Sequence, residues 1–102
     1  MKRSYMVIYE RAAEDNWGAW VPDVGGAVGA GDSLDLVRQS VREGIAIQLE
    51  YLAEQGSEAP PAVCKVVDLS EFDPEPHYEI EWMTVDVPEV VTHSADLAKQ
   101  AA

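Results

Sequence analysis

Apolar and polar positions alternate from the start of the chain. Over Ser4–Glu10, Tyr5, Val7 and Tyr9 fall on one side and Met6 and Ile8 on the other. Aromatic and β-branched residues dominate, so the pattern predicts a strand with apolar groups on both faces. The polar run Arg11–Asn16 suits a hairpin loop, and Trp17–Val21 reads as a second strand. Gly18 inside it suggests a bulge or a close backbone approach. Pro22-Asp23 ends that strand because proline has no N–H to give the ladder. Gly25-Gly26 permits a tight turn, and Ala27–Ala30 makes a short third strand of small residues over which something packs closely.

The period then changes from two to about 3.6. Leu34, Val37, Val41, Ile45, Leu49 and Leu52 recur at helical spacing, a stripe that predicts one long buried-face helix. Leu36, Ile47 and Tyr51 widen the apolar surface on one flank. Asp32 or Ser33 supplies the N-cap, Asp35 suits the first turn, and Gly56 stops the helix. Gly44 in mid-helix costs about 1 kcal/mol relative to alanine, which close contact with the sheet would rationalise. After the rigid segment Ser57–Ala62, Val63–Leu69 is β-prone. His77–Val87 is the longest strand candidate, with Tyr78, Ile80, Trp82, Thr84 and Asp86 on one face and Glu79, Glu81, Met83, Val85 and Val87 on the other. Ser94–Ala102 suits one or two frayed helical turns. The expected architecture is α+β, an antiparallel sheet in the order β-β-β-α-β(-β) with one long helix on one face. Residues 1–88 form the expected domain and 89–102 a short C-terminal tail.

Charge adds a constraint that the pattern lacks. Nineteen acidic residues stand against seven basic ones, a net charge of -12 over 102 residues. Such a field disfavours nonspecific contact with nucleic acid or anionic membrane and favours a basic partner. Between Glu71 and Glu89 there are seven acidic residues and no Lys or Arg. No apolar run approaches the ~20 residues of a membrane span. The opening Met1-Lys2-Arg3 leads into alternation rather than a signal-type block, so cytoplasmic placement is expected.

Candidate chemistry is sparse. His77 and His93 are isolated, and Cys64 is the lone cysteine. Neither a metal set nor a nucleophile–base spacing emerges, and no cofactor or catalytic residue is assigned. Asp23 and Asp32 flank the glycine turn and would form a paired-carboxylate site in a small enzyme or ligand-binding module. Gly31-Asp32-Ser33-Leu34-Asp35 resembles the attachment site of acyl carrier proteins, which would place phosphopantetheine on Ser33. Two tryptophan-bearing strands precede it, however, where carrier proteins have a long helix, and an N-cap explains the serine. Trp17, Trp20, Tyr9 and Trp82 are more aromatic surface than one helix is expected to bury, which points to self-association.

Read as a whole, residues 5 to about 61 resemble the HicB family of antitoxins. Tyr5-Met6-Val7-Ile8-Tyr9-Glu10 matches the family's first strand, and Trp17–Asp23 its aromatic strand ending V-P-D. Gly31-Asp32-Ser33-Leu34 matches the helix start, and Glu43-Gly44-Ile45, Leu49–Leu52, Gly56 and Pro60-Pro61 continue the pattern. Gly25 and Ala27 replace the usual proline and cysteine of the turn. The resemblance implies a partial RNase H-like fold that neutralises a small basic HicA-type, mRNA-cleaving toxin. The excess of aromatic surface leads us to expect a homodimer or higher homo-oligomer, through a sheet face or an edge strand. Too little chain follows Val87 for a helix-turn-helix, and the tail lacks a basic face, so direct DNA binding is not expected. The expected partner-binding residues are Trp17 and Trp20 on the second strand and Glu79, Glu81, Trp82 and Asp86 on the last.

Overall fold

A computed structural model describes residues 1–64 and 77–91. Its elements are β1 (Lys2–Ala13), β2 (Asn16–Trp20), β3 (Val28–Gly31), α1 (Leu34–Glu54) and β4 (His77–Asp86). The α+β class and the β-β-β-α-β order are those the pattern predicts. Of the further strand expected over Val63–Leu69, Val63 and Cys64 are not in a strand, and residues 65–69 lie outside the described residues. The helical turns expected over residues 94–102 also lie outside them.

The sheet has the order β3-β2-β1-β4, and every neighbouring pair is antiparallel. β1 is central because it alone is apolar on both faces: Tyr5 to Tyr9 are all buried. An irregularity in the β1–β2 ladder lies between Arg11 and Ala13, next to the hairpin turn. The bulge is therefore not at Gly18, which pairs in register with Glu10 and Ala30. The tight connection through Glu14-Asp15 places the register slip at the strand ends, as hairpin closure often does.

Helix α1 covers one face. Val37, Val41, Ile45 and Leu49 pack against Tyr5, Val7, Tyr9, Trp17, Ala19, Met83 and Val85. Full burial of each aliphatic side chain in the stripe contributes about 1.5–3 kcal/mol. Leu36, Ile47 and Tyr51, expected to widen this surface, are instead exposed. At 100° per residue Leu36 and Ile47 fall on the side of the helix opposite the buried stripe, and Tyr51 lies beside them. Ser33 is the N-cap, its Oγ accepting from the Leu36 N–H at 3.2 Å. The C-terminus closes in a Schellman arrangement: Gly56 N–H donates to Ala53 O and Ser57 N–H to Leu52 O, with Gly56 at φ 77°.

The low seat of α1 comes from three missing side chains. A Cβ on Gly44 would lie 2.6 Å from the Val28 carbonyl oxygen. One on Gly29 would lie 2.6 Å from the Val41 amide nitrogen, and one on Gly31 2.7 Å from that of Val37. Helix and strand thus meet backbone to backbone, the close packing anticipated for Gly44 and the third strand.

A sharp expectation follows for Gly44→Ala. Helix propensity favours alanine by about 1 kcal/mol. Overpacking against a backbone that has no rotamer to yield costs about 1–3 kcal/mol, so the urea midpoint should fall. Gly25→Ala is the contrast: no atom lies within 4 Å of the added carbon, and the midpoint should stay or rise slightly. A raised midpoint for Gly44→Ala would show that the contact does not set the helix position.

Candidate interaction surfaces

Strand β4 lies at one edge of the described sheet and gathers most of the described cations. Arg38 Nε donates to Glu81 Oε1 at 2.9 Å and Oε2 at 3.2 Å. Arg42 Nη1 donates to the Thr84 carbonyl at 3.1 Å, and Lys2 Nζ pairs with Asp86 at 2.8 Å. Arg38 and Arg42 are one helical turn apart and flank the buried stripe, so both reach the same strand. That i,i+4 arginine pair was the sequence signal for this tether, and the apolar-stripe reading passed over it.

Glu81 is the hub. Its carboxylate takes the Tyr9 hydroxyl as well as the Arg38 guanidinium. Arg38 also lies over the Tyr9 ring, 5.8 Å from its centroid, and bonds Asp35 at 3.3 Å. Burial pushes the Tyr9 phenol well above its ordinary pKa, and the hydrogen bond to Glu81 and that residue's charge push it further. Arg38 opposes the rise, but less strongly. The hydrogen bond to Glu81 in turn holds the Arg38 proton more firmly than usual. At the far end, the hydrogen bond from Lys2 lowers the pKa of fully exposed Asp86.

The six expected contact residues do not converge on one patch. Trp17, Glu79 and Glu81 lie on the helix side of the sheet, whereas Trp20, Trp82 and Asp86 lie on the other. Trp17 is buried in the core, edge-on to His77 and beneath Arg11. Glu81 and Asp86 are tied to Arg38 and Lys2. Glu79 sits 3.4 Å from His77, an ion pair only when the imidazole is protonated. Trp82 stays 48% exposed, and Trp20 is half-buried.

The helix-free face is a different surface. One row of register partners runs Val28–Trp20–Ile8–Ile80 across all four strands, and Met6 faces Trp82 in the next. Among the described strand residues, charge enters this face only at its ends, through the Lys2–Asp86 pair and Glu10, and Cys64 Sγ lies 4.0 Å from the buried Met6 sulfur. A third surface is the outer side of α1. There Leu36, Ser40, Glu43, Ile47 and Tyr51 recur at spacings of four, three, four and four. A shallow groove of about 320 Å³ runs beside its first half, bounded by Ala30, Asp32, Leu36, Ser40 and Glu43.

The residues of the alternative readings have structural roles. Asp23 Oδ2 accepts the Cys64 N–H at 2.8 Å and fastens the chain after α1 to the turn after β2. Asp32 is exposed before the helix, and Ser33 caps it. Among the described residues no three His, Cys, Asp or Glu side chains gather as a metal site would require. No helix there is long and apolar enough to cross a membrane.

The phenol at the hub makes stability depend on alkaline pH. Tyr9 keeps its proton in the folded chain above the pH at which an unfolded tyrosine, with pKa about 10, releases it. Its contribution is intact below about pH 10. It is lost as pH rises toward the folded value, at up to about 1.4 kcal/mol per pH unit. Tyr9→Phe should flatten this part of the denaturation profile and remove the latest-titrating phenol from a UV titration. At neutral pH it should cost about 1 kcal/mol. An unchanged alkaline slope would place the perturbed tyrosine elsewhere.

Comparison with known proteins agrees with this architecture. No curated protein matches the chain. A family model described as HicB_like antitoxin of bacterial toxin-antitoxin system matches residues 5–98. That span takes in the glycine contacts, the arginine tether and β4, so the chain belongs to the HicB-like antitoxins of bacterial toxin–antitoxin systems.

Proposed function

We propose that this protein neutralises a small basic HicA-type, mRNA-cleaving toxin by binding it, or is a solitary relative of such antitoxins. The family match over residues 5–98 in a chain of net charge -12 carries this reading. A ribonuclease toxin that grips RNA needs a cationic face, and an acidic protein is attracted to that face. The attraction raises the association rate and disfavours wrong partners. On this reading the role is binding rather than catalysis, it is exercised in the cytoplasm, and the chain makes no operator contact of its own. The β-β-β-α-β order supports a partial RNase H-like ancestry.

The protein further acts as a homo-oligomer, in the first instance a dimer. The described strand residues of the helix-free face, neutral between its ends, support this. Copies of a strongly acidic chain repel one another, and the approach is least opposed where charge is absent. Ile80, Trp82 and Val28 are the exposed apolar groups there. Of the expected contact residues, Trp20 and Trp82 thus serve self-association, and Glu79 remains open to a basic partner.

Co-expression with the small basic product of the adjacent reading frame tests the antitoxin role. The two proteins should co-purify, this chain should relieve the growth arrest, and association should slow markedly as salt is raised. Failure both to form a complex and to relieve toxicity would remove the toxin-neutralising role. Sedimentation velocity tests the dimer. The wild type should sediment as a dimer and Trp82→Asp as a monomer with an unchanged far-UV circular dichroism spectrum. A wild type that is monomeric at every concentration would overturn the self-association.

A further inference from the structure

The outer side of α1 is a second helical stripe that the core does not use. Its spacing is regular, yet Ile47 is 67% exposed, Tyr51 55% and Leu36 51%. Isoleucine is a poor choice for an exposed helix position, because its β-branch loses rotamer freedom and nothing is buried in return. A tyrosine one turn later adds a rigid amphipathic ring, the kind of side chain enriched in binding hot spots. Single exposed apolar residues need no explanation, but Ile47 and Tyr51 are i,i+4 neighbours on one ridge.

The charge beside this ridge has one sign. Glu43 and Glu50 flank Ile47, and both are exposed. From Glu43 to Cys64 the chain holds four glutamates and no Lys or Arg. Arg42, the nearest cation before this run, is turned toward Thr84 on β4. The contrast with β4 is direct, since Glu81 and Asp86 are neutralised by the chain itself. No described cation pairs with Glu43 or Glu50.

We propose that the outer ridge of α1, Ile47 and Tyr51 flanked by Glu43 and Glu50 and continuing into the groove at Leu36 and Ser40, is the docking surface for the basic protein partner. The identity of that partner as the toxin rests on the antitoxin reading above. The partner it fits presents an apolar anchor ringed by Lys or Arg. A second copy of this chain does not fit, because its ridge would bring glutamates against glutamates.

Two probes test the site separately from the identity of the partner. The first is the co-encoded basic toxin, with binding measured by calorimetry at low and high salt. Ile47→Arg should weaken the complex at least about thirtyfold, the loss of a central anchor. Glu43→Lys/Glu50→Lys should weaken it more than the charge-matched Glu14→Lys/Asp15→Lys in the β1–β2 turn, and the difference should shrink as salt rises. Circular dichroism and melting curves confirm that each variant is folded. Toxin that binds Ile47→Arg within threefold of the wild type would overturn the site while leaving the antitoxin role standing. The second probe is a synthetic amphipathic Lys/Leu helical peptide titrated into isotope-labelled protein. It decides the question even where no toxin complex forms. Amide shifts centred on Glu43–Tyr51 support the ridge. Shifts centred on β4, no shifts, or concentration-dependent shifts at Ile47 and Tyr51 without peptide overturn it.

Discussion

The backbone contact between α1 and β3 is the constraint from which the rest of the structure follows. Three glycines remove every side chain that would hold the two elements apart. An ordinary helix-on-sheet contact interleaves side chains and sets the axis about 10 Å from the strands. Here one end of the interface is closed to backbone contact, while Tyr5, Tyr9 and Trp17 fill the space elsewhere on the same face. The helix side opposite the buried stripe, bearing Leu36, Ile47 and Tyr51, faces solvent, and the arginines beside the stripe reach β4. The same seat holds Arg38 and Arg42 within reach of β4.

That tether explains how an edge strand rich in carboxylates remains in place. β4 has only β1 as a sheet neighbour among the described strands. Its apolar contribution to the core is confined to Met83 and Val85. The N-terminal half of the strand would place Glu79 and Glu81 over a buried face, where an unpaired carboxylate is expensive to desolvate. Arg38 resolves this at Glu81 with both carboxylate oxygens engaged, and Tyr9 adds a neutral donor from the central strand. Glu81 and Arg38 are each only about one-third exposed, so the pair has a larger structural role than an open surface ion pair. Lys2 and Asp86 are a weaker, solvent-screened fastening at the other end.

Much of the fold was legible in the sequence because local rules and tertiary needs coincide. The two-sided apolar run Tyr5–Tyr9 could only be central, and the stripe from Val37 to Leu49 could only face it. Gly44 was legible as a packing residue because it violates helix propensity without an obvious local reason. The misreadings have physical causes. The slip near Arg11 depends on how the hairpin closes, which Gly18 does not report. Leu36 and Ile47 lie on the side of the helical wheel opposite the Val37–Leu49 stripe, with Tyr51 beside them, so no packing against the sheet could have made them a flank of that stripe. The acidity of Glu79–Asp86 was visible, but its internal neutralisation was not. The i,i+4 pair Arg38 and Arg42 marks one end of the tether, but Glu81 lies 43 residues beyond Arg38, so the carboxylate it reaches is set only by the fold.

Separating charge from apolar surface has a consequence for a protein whose role is to bind. A uniformly acidic antitoxin would attract many basic proteins weakly and would resist self-association everywhere. Among the described residues the cations neutralise acidity on β4 and leave Glu43 and Glu50 unpaired by a cation beside Ile47 and Tyr51, while the Val28–Trp20–Ile8–Ile80 row on the opposite sheet face carries no charge. On the proposed reading, electrostatics steers a cationic partner to the side that carries the apolar ridge, and self-recognition falls to the side where repulsion is weakest. Attraction at long range acts on rate, and desolvation of an aromatic–aliphatic pair at short range acts on lifetime. On the proposed reading the two use different surfaces, and a helix on one face of the sheet keeps them on opposite sides of it.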